Sequence, residues 1–304
     1  MKRIFKNFLL IGIVAAMFTA CGDSDENDNE NGGANGAVSI ANGVIKAPFS
    51  VSADKKVYFS TGNLQYQAST NTWRFAEHQY DVIGSSNAKI SSTYDGWIDW
   101  LSWGTSGWDS GANVYQPYVV SKDDADFYPG GSFSNSLTGS YANADWGVFN
   151  KISNGGNKAG QWRTLTTDEW QYLLSGRPNA RILVAHGSVD YKNGLILLPD
   201  GWDSPSGFSL NISEPYYGTN YIANRFSLED WAIMESHGAV FLPASGYREG
   251  NYSQSSSESG NYWSSTAHGK SYAYQLDFDK GSKDPKHTTH RSYGIQVRLV
   301  QDVK

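Results

Sequence analysis

Apolar and polar positions alternate most clearly in the last stretch of the chain, Gly260–Val303. Tyr272, Tyr274, Leu276 and Phe278 share one parity; Ser271, Ala273, Gln275, Asp277 and Asp279 share the other. A period of two marks a half-buried strand with one wet face. Leu276 and Phe278 are therefore expected to point inward, and Gln275, Asp277 and Asp279 outward. Ile295, Val297 and Leu299 alternate with Gln296 and Arg298, which predicts a second such strand. Between the two, Lys280–Tyr293 is polar, rich in turn residues and without an apolar anchor, so it reads as a loop.

Upstream, short alternating runs predict strands at Phe49–Val51, Lys56–Ser60, Asn63–Gln67 and Trp73–Phe75, with turns at Thr61-Gly62-Asn63 and Ser69-Thr70-Asn71. Only two segments carry a helical stripe. In Thr166–Ser175, Thr166 and Glu169 form a capping box and Trp170, Leu173 and Leu174 line one face, with Gly176 and Pro178 behind them. In Leu228–Ser236, Ser227 is the expected N-cap, Trp231 and Met234 face the core and Gly238 ends the run. Each helix is followed by an apolar strand closing on Leu-Pro, at Ile196–Pro199 and Val240–Pro243. The tryptophan-dense stretch Asp95–Gly111 reads as packing material, and Ala112–Tyr141 as polar surface. With 14% aromatic residues, 32 glycines and 18% charge, the composition suits short strands, long loops and an aromatic core.

The first residues change the setting. Lys2, Arg3 and Lys6 precede an apolar run, Phe8–Phe18, that is short for a membrane span. Phe18-Thr19-Ala20-Cys21 resembles a bacterial lipobox, which implies a signal peptide over residues 1–21 and lipidation of Cys21. Cys21 is the chain's single cysteine, so no intrachain disulfide is expected. Residues 22–43 begin GDSDENDNENGGANG and read as an acidic, Gly/Asn-rich tether to one domain at residues 44–304. The net charge of −6 gives no reason to expect a nucleic-acid partner. An acidic run after the lipid cysteine resembles the export signal of Bacteroides-type surface lipoproteins, implying an outer-membrane lipoprotein exposed at the cell surface.

Further motifs carry a family resemblance. Gln161–Trp170, QWRTLTTDEW, resembles the R-L-P-T-E-A-E-W motif of formylglycine-generating-enzyme-like proteins. Tyr262-Trp263-Ser264-Ser265 with Gly294–Val300 resembles the Y-W-S-S … G-x-S-V-R-x-V frame of Fibrobacter major paralogous domain proteins. The resemblance implies an α+β, C-type-lectin-like fold: a small irregular antiparallel sheet, two helices and long structured loops. It does not extend to the oxidase chemistry, which needs active-site cysteines. Some relatives of this kind are targets of diversity-generating retroelements, whose variable codons derive from asparagine codons by adenine changes. His268, Tyr272, Asp277, Asp279, Asp284, His287–His290, Ser292 and Tyr293 fit that codon origin; Gln275, Lys270 and Lys286 do not.

No G-x-S-x-G elbow, P-loop or H-E-x-x-H motif occurs. His287-x-x-His290 lacks helical context and a defined third ligand, so no metal is assigned. Loops rich in Asp and Asn are compatible with a structural calcium ion, but no EF-hand pattern is present and no cofactor is expected. Asp123-Asp124 reads as a solvated loop pair and Glu229-Asp230 as helix N-terminal charge. The expectation is a binding protein rather than an enzyme. Its protein or glycan ligand would meet a face built from His268, Tyr272, Gln275, Asp277, Asp279, His287, Thr289, His290 and Tyr293. Two rival readings stand beside it: a carbohydrate-active or modifying enzyme on the same scaffold, which would need a buried acid–base pair in a cleft, and a structural or tip subunit of a surface or fimbrial assembly, with Ala37–Val51 as its donor strand.

Overall fold

The computed structural model describes residues 37–212 and 220–304. The expected signal peptide, Cys21 and residues 22–36 of the tether lie outside the described residues. The remainder of that tether takes part in the fold: Ile40–Ala41 turns back through Asn42-Gly43 and pairs with Val44–Ile45. Both turn residues have positive φ, the two-residue hairpin geometry that an Asn-Gly pair adopts readily.

The expected α+β, C-type-lectin-like fold is overturned. Strands take 33% of the residues and helices 18%, and much of the helical share is short 3-10 turns. The described residues form five small sheets rather than one. The physical reason is in the pattern: the apolar runs are mostly too short to give a helix a continuous stripe, so sheets and loops cover the core. The two helices that do carry a stripe form where expected, although the first is α-helical only over Thr167–Gln171 before a wider turn at Tyr172–Gly176. Both start with a reciprocal capping box, from Thr166 with Glu169 and from Ser227 with Asp230.

The first sheet runs in the order Ile40–Ala41, Val44–Ser50, Lys56–Ser60, Leu299–Asp302, Arg163–Thr164. The chain's last strand thus lies inside a sheet begun by its first. The second sheet joins Val184–Val189, Lys192–Leu197 and Val240–Pro243, with Arg225–Phe226 parallel at one edge. The third contains the hairpin Gly246–Glu249 and Tyr252–Ser255 beside Gly294–Ile295 and Leu101–Ser102. The fourth, hereafter the C-terminal sheet, is Ser259–His268, Tyr272–Asp279 and Lys283–His290. Thr72–Phe75, Leu64–Gln67 and Trp97–Ile98 make the fifth.

Two strand expectations change. Lys283–His290 is a strand, not a loop, and forms the outer member of the C-terminal sheet. It carries no apolar stripe, and Pro285 sits at a register shift between Gln275 and Asp277, where an edge strand tolerates a missing N–H donor. The expected strand over Ile295–Leu299 is split between the third and first sheets, and Gln296 and Arg298 are fully buried rather than wet. Arg298 lies among acceptors that no alternation rule reveals: its guanidinium donates to Gln79 Oε1 at 2.6 Å and to Asn63 Oδ1 and Phe241 O at 3.3 Å.

The C-terminal sheet lies between two hydrophobic clusters. Tyr262, Leu276 and Phe278 join one, with Phe49, Phe59 and Trp170. Trp263 and Ala273 join the other, with Trp103, Trp146 and Trp162. Within the tryptophan-dense stretch, Trp100 and Trp103 are fully buried, as packing material should be. Ala112–Tyr141 is not wholly surface, because Phe127 and Leu137 are buried.

Candidate binding face

Residues directly opposite one another in antiparallel strands share a face of the sheet. His268 stands opposite Tyr272, and Tyr272 opposite His290; Tyr274 stands opposite Thr288. On the other face Asn261 opposes Asp277, Asp277 opposes Asp284, and Gln275 opposes His287. The parity read from the sequence is therefore correct, but neither face is uniformly wet. The first face is buried at Leu276 and Phe278 and open at Tyr272, which is 38% exposed. The second is buried at Ala273 and Gln275 and opens toward Asp277 and Asp279. The strand crosses obliquely between the two cores, so each face is dry at one end and wet at the other.

The nine expected site residues consequently fall into two groups. Tyr272, His290 and Tyr293 come together on the first face. The His290 ring lies 4.8 Å from Tyr272 and 5.3 Å from Tyr293. Tyr293 stacks on Tyr247 of the third sheet at 5.2 Å and 3°. This makes a continuous strip, Tyr247–Tyr293–His290–Tyr272, across two sheets. His268 extends the same face, its ring 4.6 Å from Tyr274. Burial, and then the nearby Glu249 carboxylate, push the Tyr293 hydroxyl's pKa up, so it remains a neutral phenol at physiological pH.

The strip is fastened from beneath by groups from far upstream. Asp124 Oδ1 accepts from Ser292 N at 3.1 Å and Ser292 Oγ at 2.9 Å, while Asp124 Oδ2 accepts from His290 Nδ1 at 2.6 Å. The reading of Asp123-Asp124 as a solvated pair is corrected accordingly: the Asp124 side chain is 11% exposed. Ser292 and His290 both bond to the carboxylate rather than to each other, so the trio is not a nucleophile relay, in which the serine would donate to the imidazole. Arg291 is buried, stacked 4.5 Å from the Trp103 ring and 5.0 Å from Tyr128. Its guanidinium donates to the carbonyls of Tyr272, Phe133 and Gly269, tying the strip's strand to the loop beside it. The Tyr128 hydroxyl closes the same junction by donating to Lys270 O.

Gln275, Asp277, Asp279 and His287 belong to the second group. Gln275 is 2% exposed, a correction to its expected place on a wet face. Its Nε2 donates to Asn261 Oδ1 at 3.2 Å and lies 3.0 Å from His287 Nδ1. Asp279 is exposed but structurally committed: Oδ1 accepts from Gly281 N, Ser282 N and Ser282 Oγ. Burial pushes its carboxyl up, and these bonds outweigh it and hold the group below the usual carboxylate range. Asp277 is half-buried; burial, Asp279 and Asp284 push its carboxyl up while His287 opposes them. Thr289 lies opposite Ala273 and is half-buried. Among the described residues no group of three or more His, Cys, Asp or Glu side chains is arranged to hold a metal ion.

Tyr247, Asp124 and Tyr128 belong to the site and are absent from the expected set. Asp124 and Tyr128 come from one segment and Tyr247 from another far along the chain. In comparison with known proteins, residues 211–300 fit the family model of a domain of unknown function (DUF8237). The matched segment holds Tyr247 and the C-terminal sheet but not Asp124. No curated protein and no solved structure matches the chain.

Proposed function

We propose that the chain is a lipid-anchored binding protein of the bacterial outer membrane, displayed at the cell surface, which captures an external protein or glycan with its C-terminal face. The observation that carries this reading is the Tyr247–Tyr293–His290–Tyr272 strip. Tyrosine and histidine rings give broad contact area with little side-chain entropy to lose, and their hydroxyl and imidazole groups supply adaptable hydrogen bonds. The anchor rests on the lipobox-like Phe18–Cys21.

A diversified version of this surface is supported by the distribution of burial. Of the residues that fit an asparagine-codon origin, all but Ser292 keep their side chains at least partly exposed. The interleaved Trp263, Ala273, Leu276, Phe278 and Arg291 are fully buried. Variation at the first set would leave both cores untouched.

The test is capture from protein and glycan arrays by the purified protein and by a variant combining Tyr247→Ala, Tyr272→Ala and Tyr293→Ala. The variant is expected to lose about a hundredfold in affinity and to stay folded with a somewhat lower melting temperature, because Tyr272 and Tyr293 lie outside the cores and Tyr247 only packs against the edge of one. Unchanged capture by a folded variant would place the ligand elsewhere.

A further inference from the structure

The His290 ring offers the strip a hydrogen-bonding atom of fixed character. The Asp124 carboxylate accepts only, so His290 Nδ1 is the donor in their 2.6 Å bond. In the neutral imidazole the other nitrogen, Nε2, is then a lone-pair acceptor. No protein group among the described residues bonds to it, and the His290 side chain is 41% exposed. Asp124 cannot turn away, because Ser292 N and Oγ hold its second oxygen. Tyr272 and Tyr293 flank the imidazole at 4.8 and 5.3 Å, inclined to it by 52° and 38°.

We infer that His290 Nε2 is the specificity-determining acceptor of the face, and that the ligand it reads is a neutral carbohydrate. This rests on the binding reading above. A pyranose ring presents an apolar C–H surface to a tyrosine ring and hydroxyls around its edge. One hydroxyl donates to Nε2, and others donate to the oxygens of Tyr247 and Tyr293, whose own protons go to Gln254 Oε1 and Glu249. Charge points the same way. Asp124 is already committed to His290 and Ser292, and Glu249 to the Tyr293 hydroxyl, so neither is free to pair with a cationic ligand. An anionic ligand would be repelled by Asp124 and by Glu249 beside Tyr293. What the strip offers is rings, hydroxyls and one directed lone pair. Asp124 is a positioning residue here: it sets the tautomer and orientation of the group that touches ligand.

His290→Asn separates the two roles of the ring. The asparagine amide takes the place of Nδ1 and keeps a bond to Asp124, but nothing replaces Nε2. The probe is an array of neutral and sialylated oligosaccharides, read with the parent, His290→Asn and the triple tyrosine variant, alongside melting curves. The parent is expected to bind neutral members. His290→Asn should weaken that binding by about tenfold, the cost of one hydrogen bond of ordinary strength, with an unchanged melting temperature. A long-range proton–nitrogen NMR spectrum should show His290 protonated at Nδ1 and its Nε2 resonance moving on addition of the sugar. Equal binding by folded His290→Asn, preference for sialylated members, or no sugar bound at all would each overturn the carbohydrate assignment. If a protein is captured instead and the tyrosine variant loses it, the binding face stands and its carbohydrate specificity falls. If the tyrosine variant alters no capture, both fall.

Discussion

Asp99 illustrates how a single buried carboxyl couples this fold to pH. It is fully buried, accepts from Asn87 Nδ2 at 2.7 Å, and burial pushes its pKa from 3.8 up to about 6. An acid whose folded pKa exceeds its unfolded value favours folding most when protonated. The contribution of Asp99 is thus fully present below its unfolded value and is lost as pH rises through about 6. The difference amounts to about 3 kcal/mol against the charged form. Gln296, whose amide has no other partner, reaches toward Asp99, and Ile83 N donates to Asp99 Oδ2 at 3.4 Å; an asparagine at 99 keeps the Asn87 bond through its oxygen and turns its amide to Gln296 Oε1, giving up only the long bond from Ile83. Asp99→Asn is expected to raise the melting temperature by about 5 °C at about pH 7.5 and to leave it unchanged near pH 4. Equal effects at both values would show that Asp99 does not carry the shift. Asp145, also pushed up to about 6 by burial, keeps part of the pH dependence in the variant. None of this was legible in the sequence. Asp99 and Asp124 look like loop acids until Gln296 and Ser292, from the far end of the chain, are folded against them.

At the scale of elements, legibility followed locality. The two capped helices could be read because cap, stripe and stop lie within a dozen residues. The alternation of Tyr272–Asp279 gave the parity of its side chains, but the dry face depends on which core each end of the strand meets. Lys283–His290 could not be read, since an outer strand held by backbone pairing needs no apolar period. Gly260 was equally opaque. It stands opposite Phe278, whose ring lies across it, and a Cβ at this position would run into that ring. Gly260→Ala is therefore expected to cost about 2 kcal/mol through displacement of Phe278, measured as a lower urea midpoint with an unchanged slope. A variant as stable as the parent would mean that the ring moves freely.

For the whole molecule, the decisive arrangement is a buried frame that carries an exposed strip. Trp263, Leu276, Phe278 and Arg291 are fixed by both cores, while Tyr272, His287 and His290 project beyond them. If the surface is diversified, sequencing of the 3′ region of the gene across a bacterial population should show substitutions concentrated at codons 268, 272, 277, 284, 287, 289, 290 and 293, with the buried codons constant. Variation spread evenly over both sets, or none at all, would leave a binder of fixed specificity. Asp279 is a sharper check within that comparison. Its turn-capping bonds predict less variation there than at Tyr272, although the two were indistinguishable by residue type.

The last strand, Leu299–Asp302, lies between Lys56–Ser60 and Arg163–Thr164. Its place in the first sheet makes this strand a checkpoint on everything written before it. A chain that stops early, or slips out of frame anywhere within residues 268–293, arrives without the segment that joins its oldest strands to its middle. Such a product leaves Phe59 and Trp170 without Val300 in their shared core and presents itself to proteases as unfinished. Substitutions in the strip pass this inspection and errors of length do not.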